Sequence, residues 1–392
     1  MATILLLSTA DTELLAARSS GADYRTANPS RISLGDGAGD PAGAARLTAL
    51  ADGADLVVLR LLGGRQAWPE GVAALRASGR PLVALGGEST PDAELMSLST
   101  VPAGVVAEAL GYLREGSPAN LRELAAFLSD TVLLTGEGFA PPQATPAYGR
   151  HTLPEALQAP TAPSATRTSP APEAPPAPEA PTVAVVFYRA HELSGNTGFV
   201  DALCQAIADR GAVPLPVYCA SLRSADAGLT ELLAPAQAVI TTVLAAGGSG
   251  AAGTSAEGDW DAGALATLGV PILQGLCLTS SRAQWQDADG GLSPIDAAMQ
   301  VAIPEFDGRL ITVPFSFKEE GPDGIGVYVA DPERAGRLAG IAVRQAKLAG
   351  TPNSDKRVAI MLSSYPTKNA RVGNAVGLDT PASASSSAIR LF

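Results

Sequence analysis

The chain has 392 residues, 46% of them hydrophobic and 17% charged, and a formal net charge of −12. That length accommodates two or three domains with cores of their own, and the composition is globular rather than disordered. The acidic balance repels phosphate backbones and anionic lipid heads, which argues against nucleic acid or a membrane surface as the main partner.

The opening MATILLLSTADTE has a short apolar run without a basic leader or an A-x-A cleavage pattern, so it reads as a first strand and a cytoplasmic location is expected. No apolar run approaches the roughly 18–20 residues that span a bilayer. The strand at 3–9 (TILLLST) is followed by a polar helix or turn, and ADLVVLRLLGG (54–64) and RPLVALGGES (80–89) add two more strands. Between these, AWPEGVAALRASG (67–79) carries Pro at a helix start and Gly at its end. Continuous apolar strands alternating with helices predict a parallel sheet, and 101–134 is patterned as helix. Residues 1–150 are therefore expected to form a flavodoxin-like α/β domain.

From 151 to 181 Pro and Ala dominate, which predicts an extended spacer with no core, and His151 at its edge is assigned no role. The α/β rhythm restarts at TVAVVFY (182–188) and continues through strands at 213–221, 236–244 and 271–278 to a helix over 331–350. A second open parallel sheet over 182–353 is the expectation. RVAIMLSSYP (357–366) predicts one more strand, followed by a helix start at TPAS whose helix is not expected to complete. Residues 354–392 thus read as the start of a further α/β unit that is cut short, since a parallel strand needs its crossover.

Chemistry-bearing signals are sparse. Cys204, Cys219 and Cys277 are scattered, form no C-x-x-C pair and predict buried thiols in a reducing compartment. The Gly-rich stretch 245–258 lacks the G-K-[ST] of a P-loop, so ATP chemistry is expected from another protein. No G-x-S-x-G elbow is present, and His191-Glu192 is not H-E-x-x-H because position 195 is Gly. His191 does follow the carboxyl end of a strand, where open α/β sheets place ligands. Further on, Glu305 and Asp307 flank Phe306 in a bend bracketed by Pro304 and Gly308. Such carboxylates suit a metal or a proton, and equally a polar turn.

The blocks LRELAAFLSDTVLLTGEGF, FYRAHELSGNTGFVDALCQAI, PILQGLCLTSSRAQW, GLSPIDAAMQVAIPEFDGRLITVPFSFKE, YVADPERAGRLAGIAVR and SSYPTKNARVGNAVGLDTPAS resemble the large subunit of aerobic cobaltochelatase, the CobN type. More distantly they resemble the H subunit of magnesium chelatase. The likeness runs through nearly the whole chain outside 32–53, the spacer and the last positions, although relatives continue far beyond ASSSAIRLF. It implies ATP-dependent insertion of Co²⁺, as substrate, into a corrin-precursor tetrapyrrole, hydrogenobyrinic acid a,c-diamide. It also implies two smaller partner subunits, one an AAA+ ATPase that hydrolyses the ATP. Within the matching blocks, His191, Glu305 and Asp307 have the chemistry of a base or metal-delivering group. Arg189 and Lys318 suit the macrocycle's peripheral carboxylates, and Gln274 suits its side-chain amides. Magnesium insertion into protoporphyrin, and a non-catalytic tetrapyrrole-binding module, are the alternatives.

Overall fold

The computed structural model describes residues 2–34, 40–88, 90–157, 180–222, 227–244, 264–321, 323–362, 373 and 379–391. Most of the spacer and the Gly-rich stretch lie outside the described residues.

The first sheet takes its strands from the apolar runs read above. β1 (Ile4–Ser8), β2 (Tyr24–Ala27), β3 (Leu56–Leu61) and β4 (Leu82–Gly86) pair in the order β2-β1-β3-β4, all parallel. Its helices are α1 (Asp11–Ser19), α2 (Pro41–Asp52), α3 (Pro69–Ala77), α4 (Ala93–Ser97), α5 (Ala103–Glu115) and α6 (Pro118–Val132). Alternation along β1 serves both faces of the sheet. Ile4 and Leu6 pack with Leu14, Val106 and Leu121, whereas Leu5 and Leu7 pack with Leu47 and Val72. The sheet is thus covered by α1, α5 and α6 on one side and by α2 and α3 on the other.

The second sheet has seven strands in the order β11-β10-β9-β8-β6-β7-β5. They are β5 (Tyr148–Arg150), β6 (Thr182–Tyr188), β7 (Val213–Cys219), β8 (Ala238–Thr241), β9 (Ile272–Leu278), β10 (Leu310–Glu320) and β11 (Gly326–Ala330). The five inner strands run parallel, and antiparallel β5 and β11 close the two edges. The accompanying helices are α7 (Arg189–Ser194), α8 (Gly198–Ala208), α9 (Ala227–Leu233), α10 (Arg282–Asp287), α11 (Pro294–Asp296), α12 (Ile303–Phe306) and α13 (Pro332–Ala349). A π-helical turn, Ala297–Ala302, joins α11 to α12. Asp331 caps α13 by accepting from the Arg334 amide, and Pro332 fills its first position, as the sequence predicts.

Two expectations are corrected at the end of the chain. The described part of the expected strand, through residue 362, is not strand, and Val358, Ile360, Met361 and Leu362 are exposed. The outer edges of β5 and β11 are not used by this run. Conversely, a helix does form, α14 (Thr380–Leu391), with the Asp379 carboxylate accepting from the Ala382 amide at its start.

The two units are held together by elements of the second. The β10–β11 turn reaches into the first, where Ile325 is buried among the side chains of α1 and α6. Around it Arg18 pairs with Asp323 at 2.5 Å, and Lys318 pairs with Asp11 at 2.7 Å. Arg31 donates to the Gly324 carbonyl and lies 3.2 Å from Asp11. A Cβ on Gly326 would stand 2.6 Å from both the Arg31 guanidinium and the Asp11 carboxylate, so a side chain there would make them shift. The chain also crosses between units earlier than the composition suggests. β5, at 148–150, already belongs to the second sheet.

Candidate functional site

Helix α7 grows directly out of β6 and stops after one and a half turns at Gly195, whose φ of 71° is left-handed. Its RAHE residues, read together in the sequence, are separated by the helix into three directions. Arg189 reaches back to the first unit, donating to the Thr145 hydroxyl at 2.9 Å and to the Arg114 carbonyl at 3.0 Å. His191 turns inward, its ring edge-on to Phe199 and Tyr328 at 5.1 and 5.5 Å. Glu192 accepts from His151 at 2.7 Å.

The His191 Nδ1 is buried without a hydrogen-bond partner. Burial, helped by the positive charge of Lys318, lowers its pKa to about 4, so the imidazole is neutral at pH 7 and a weak base. A buried unpaired ring nitrogen contributes nothing to folding. We therefore expect His191→Phe to leave stability unchanged or raise it by up to about 1 kcal/mol in urea denaturation. A loss larger than that would mean the imidazole has a partner the fold needs.

Arg189 borders a cavity of about 330 Å³ between the units, lined also by Ala10, Glu13, Arg60, Arg114 and Glu115. It lies at the carboxyl ends of β1, β3 and β4, where the strand order reverses between β1 and β3. Open α/β sheets bind ligands at such a switch point. Arg60 is structural. It pairs with Glu13 at 2.5 Å and donates to the carbonyls of Gly86, Leu113 and Gly87. Burial raises the Glu13 pKa, against the pull of Arg60 and of a hydrogen bond from Ser8. The Arg114 side chain is exposed and has no partner among the described residues. It is the cation of the cleft left for a ligand.

The remaining expected residues are placed elsewhere. Asp307 and Arg309 form an ion pair of 2.8 Å with both side chains 1% exposed. Arg309 also donates to Gln274 Oε1 at 2.7 Å and to the Val243 carbonyl at 2.5 Å, while Gln274 Nε2 is buried without a partner. Glu305 is exposed, so the two carboxylates of the bend point to different environments and do not form one site. Lys318 lies on β10, nine residues past Arg309 and roughly 30 Å along the chain at about 3.3 Å per residue. It is engaged by Asp11 and sits 5.8 Å from the Tyr328 ring, which His191 also touches. Arg189, His191 and Lys318 therefore cluster toward the junction, and Gln274 and Asp307 belong to the far end of β10.

His151, given no role by its place beside the spacer, is held at both ring nitrogens. Nδ1 is 2.7 Å from Glu192 and Nε2 is 2.9 Å from Asp201. Its hydrogen bond to Glu192, with Asp201, raises its pKa above the usual histidine range despite burial. No local signal marks it, because its partners are 41 and 50 residues away. Arg60 did have a signal, a lone cation within an apolar strand sequence. Among the described residues no group of three or more His, Cys, Asp or Glu side chains is placed to hold a metal ion. Nor is any helix there long and apolar enough to cross a membrane.

A family model described as CobN/Magnesium Chelatase matches residues 110–391. The aerobic cobaltochelatase subunit CobN of Pseudomonas aeruginosa is 34% identical over 348 residues, which is 84% of this chain and 26% of that protein. The chloroplastic magnesium-chelatase subunit ChlH of Oryza sativa subsp. indica is 28% identical over 202 residues, half of this chain and 14% of the relative. A solved structure, the catalytic subunit of cobaltochelatase from Mycobacterium tuberculosis, is 52% identical with a TM-score of 0.66, covering 100% of this chain and 30% of its own. The chain thus spans about a quarter to a third of the cobaltochelatase subunits it matches. With the fold matched and the family model covering well over half of its residues, the chain belongs to the CobN/magnesium chelatase family.

Proposed function

We propose that this chain is part of the macrocycle-binding subunit of an ATP-dependent cobaltochelatase that inserts Co²⁺ into hydrogenobyrinic acid a,c-diamide during cobalamin synthesis. The observation that carries this reading is the 52% identity to a cobaltochelatase catalytic subunit over the full length of the chain. Identity is higher to the cobalt enzymes, 34% and 33%, than to the magnesium H subunits, at most 28%, which favours cobalt.

Insertion exchanges two pyrrolic protons for a dication stripped of its water. In this proposal Arg114 and Arg189 pair with peripheral carboxylates of the corrin precursor at the cleft. His191, buried against Phe199 and Tyr328 with a pKa of about 4, is too weak a base to take these protons at pH 7. Glu305, Gln274 and Asp307 lie at the far end of β10, away from this cleft, and Lys318 is engaged by Asp11, so none of the four is placed to receive the metal there. Co²⁺ is the substrate, and an AAA+ ATPase subunit, with a second small subunit, supplies hydrolysis. Alone, the chain binds tetrapyrrole but inserts no metal.

The test is a transplant. This chain replaces the matching portion of the Mycobacterium tuberculosis catalytic subunit, and the hybrid is assembled with its partner subunits and supplied with ATP, Co²⁺ and the corrin precursor. Cobalt insertion is the expected result. A folded hybrid that inserts only Mg²⁺ into protoporphyrin, or no metal at all, would overturn the reading.

A further inference from the structure

The chain between the two units, residues 140–151, is a strap bonded along its length by side chains of both. The Ala140 amide donates to Glu123, and the Asn120 side chain exchanges two hydrogen bonds with the backbone of Gln143. Thr145 donates through its amide and its hydroxyl to Glu115, and its hydroxyl also accepts from Arg189. β5 then pairs with β7, and the His151 amide donates to the Pro216 carbonyl. The last side-chain anchor is the His151 ring, between Glu192 on α7 and Asp201 on α8.

That geometry restricts the ring's protonation. An ionised carboxylate only accepts hydrogen bonds, and a neutral imidazole has a single N–H. Contacts of 2.7 and 2.9 Å to two carboxylates are satisfied together only when both ring nitrogens carry protons. The Phe187 ring on β6, 5.8 Å from the imidazole in an edge-to-face arrangement, supplies no charge. From β7, the Tyr218 phenol is placed within the influence of Glu192 and of Arg189, and neutral at pH 7 it leaves the two carboxylates to balance His151.

We infer that His151, as an imidazolium, is a positioning residue that clamps the strap onto helices α7 and α8 of the second unit, so that losing its proton loosens the strap. Glu192 lies three residues after Arg189 on a six-residue helix, and Thr145, six residues before His151, holds the Arg189 guanidinium. Release of the ring therefore loosens Arg189 from both sides. Because the bound ring keeps its proton above the ordinary value of about 6.5, the clamp is complete below that pH. It is lost as pH rises through the elevated value. The effect on ligand binding rests on the proposed role of the cleft; the clamp itself does not.

The chain has only two histidines, so NMR of histidine-labelled protein resolves both titrations. His151 is expected to titrate above 6.5, and Asp201→Asn to move it back toward that value. Hydrogen exchange at the Arg150 and His151 amides, corrected for intrinsic rate, should accelerate between pH 6 and pH 9. His151→Gln, which keeps one donor but no charge, should exchange fast at both. A His151 titration at or below 6.5, or exchange in the wild type that ignores pH, overturns the clamp. Affinity for hydrogenobyrinic acid a,c-diamide measured over the same range is the separate arm. If the strap loosens while that affinity stays constant, the clamp stands and the assignment of the cleft fails.

Discussion

Asp307→Ala should destabilise the second unit by about 3–5 kcal/mol, the cost of removing one partner from a buried ion pair. The cause is the charge left behind. Arg309 has a side chain 1% exposed, and without Asp307 its guanidinium would keep only neutral acceptors, Gln274 and the Val243 carbonyl. These hold β8, β9 and the start of β10 together, so the loss should reach the whole sheet rather than one turn. Urea denaturation should show a lower midpoint with an unchanged slope. Glu305→Ala, two residues away and exposed, should stay within about 0.5 kcal/mol. If the two substitutions cost the same, the bend is an ordinary polar turn and Arg309 is not its anchor.

Ile325→Ala is expected to cost about 2–5 kcal/mol, the range for emptying a buried aliphatic site. Its distinguishing effect is on cooperativity. Ile325 is a residue of the second unit that is 3% exposed within the core of the first, so its side chain couples the folding of the two. The Arg18–Asp323 pair beside it is largely solvated, at 38% and 51% exposure, and contributes little by comparison. Calorimetry of the wild type should show the units melting together, and the variant should separate them into two transitions. A single transition at an unchanged midpoint would mean that the junction is held by the strap instead.

The inner strands were readable because a strand buried on both faces must be continuously apolar, as in ILLLS, LVVLRL and TVAVVFY. The same rule misled at RVAIML, where the composition suits a strand but the described residues join neither sheet. β2, with only four residues and a mixed YRTA pattern, and β5, with three, carry too little periodicity to read. The β10–β11 hairpin was hidden by charge. FKEE looks like a loop, yet Lys318 is there to meet Asp11 of the other unit. Position at a strand end drew attention to His191 in the sequence, and the structure sets it on the helix α7 that also carries Arg189. Glu305 and Asp307 show the limit of spacing: two residues apart on a short helix and its end, they face solvent and core respectively. His151 was invisible for a third reason, since both of its anions come from helices beyond the spacer.

Fluorescence-quenching titration of this chain with hydrogenobyrinic acid a,c-diamide, with protoporphyrin as the comparison, tests whether the cleft between the units receives a carboxylate-bearing corrin precursor. Saturable binding that prefers the corrin precursor is expected. Arg114→Ala with Arg189→Ala should weaken it by about tenfold or more, since a hydrogen bond to a charged group is worth roughly 1.5–3 kcal/mol. Binding that is equal for both macrocycles, or that survives the loss of both arginines, would contradict it.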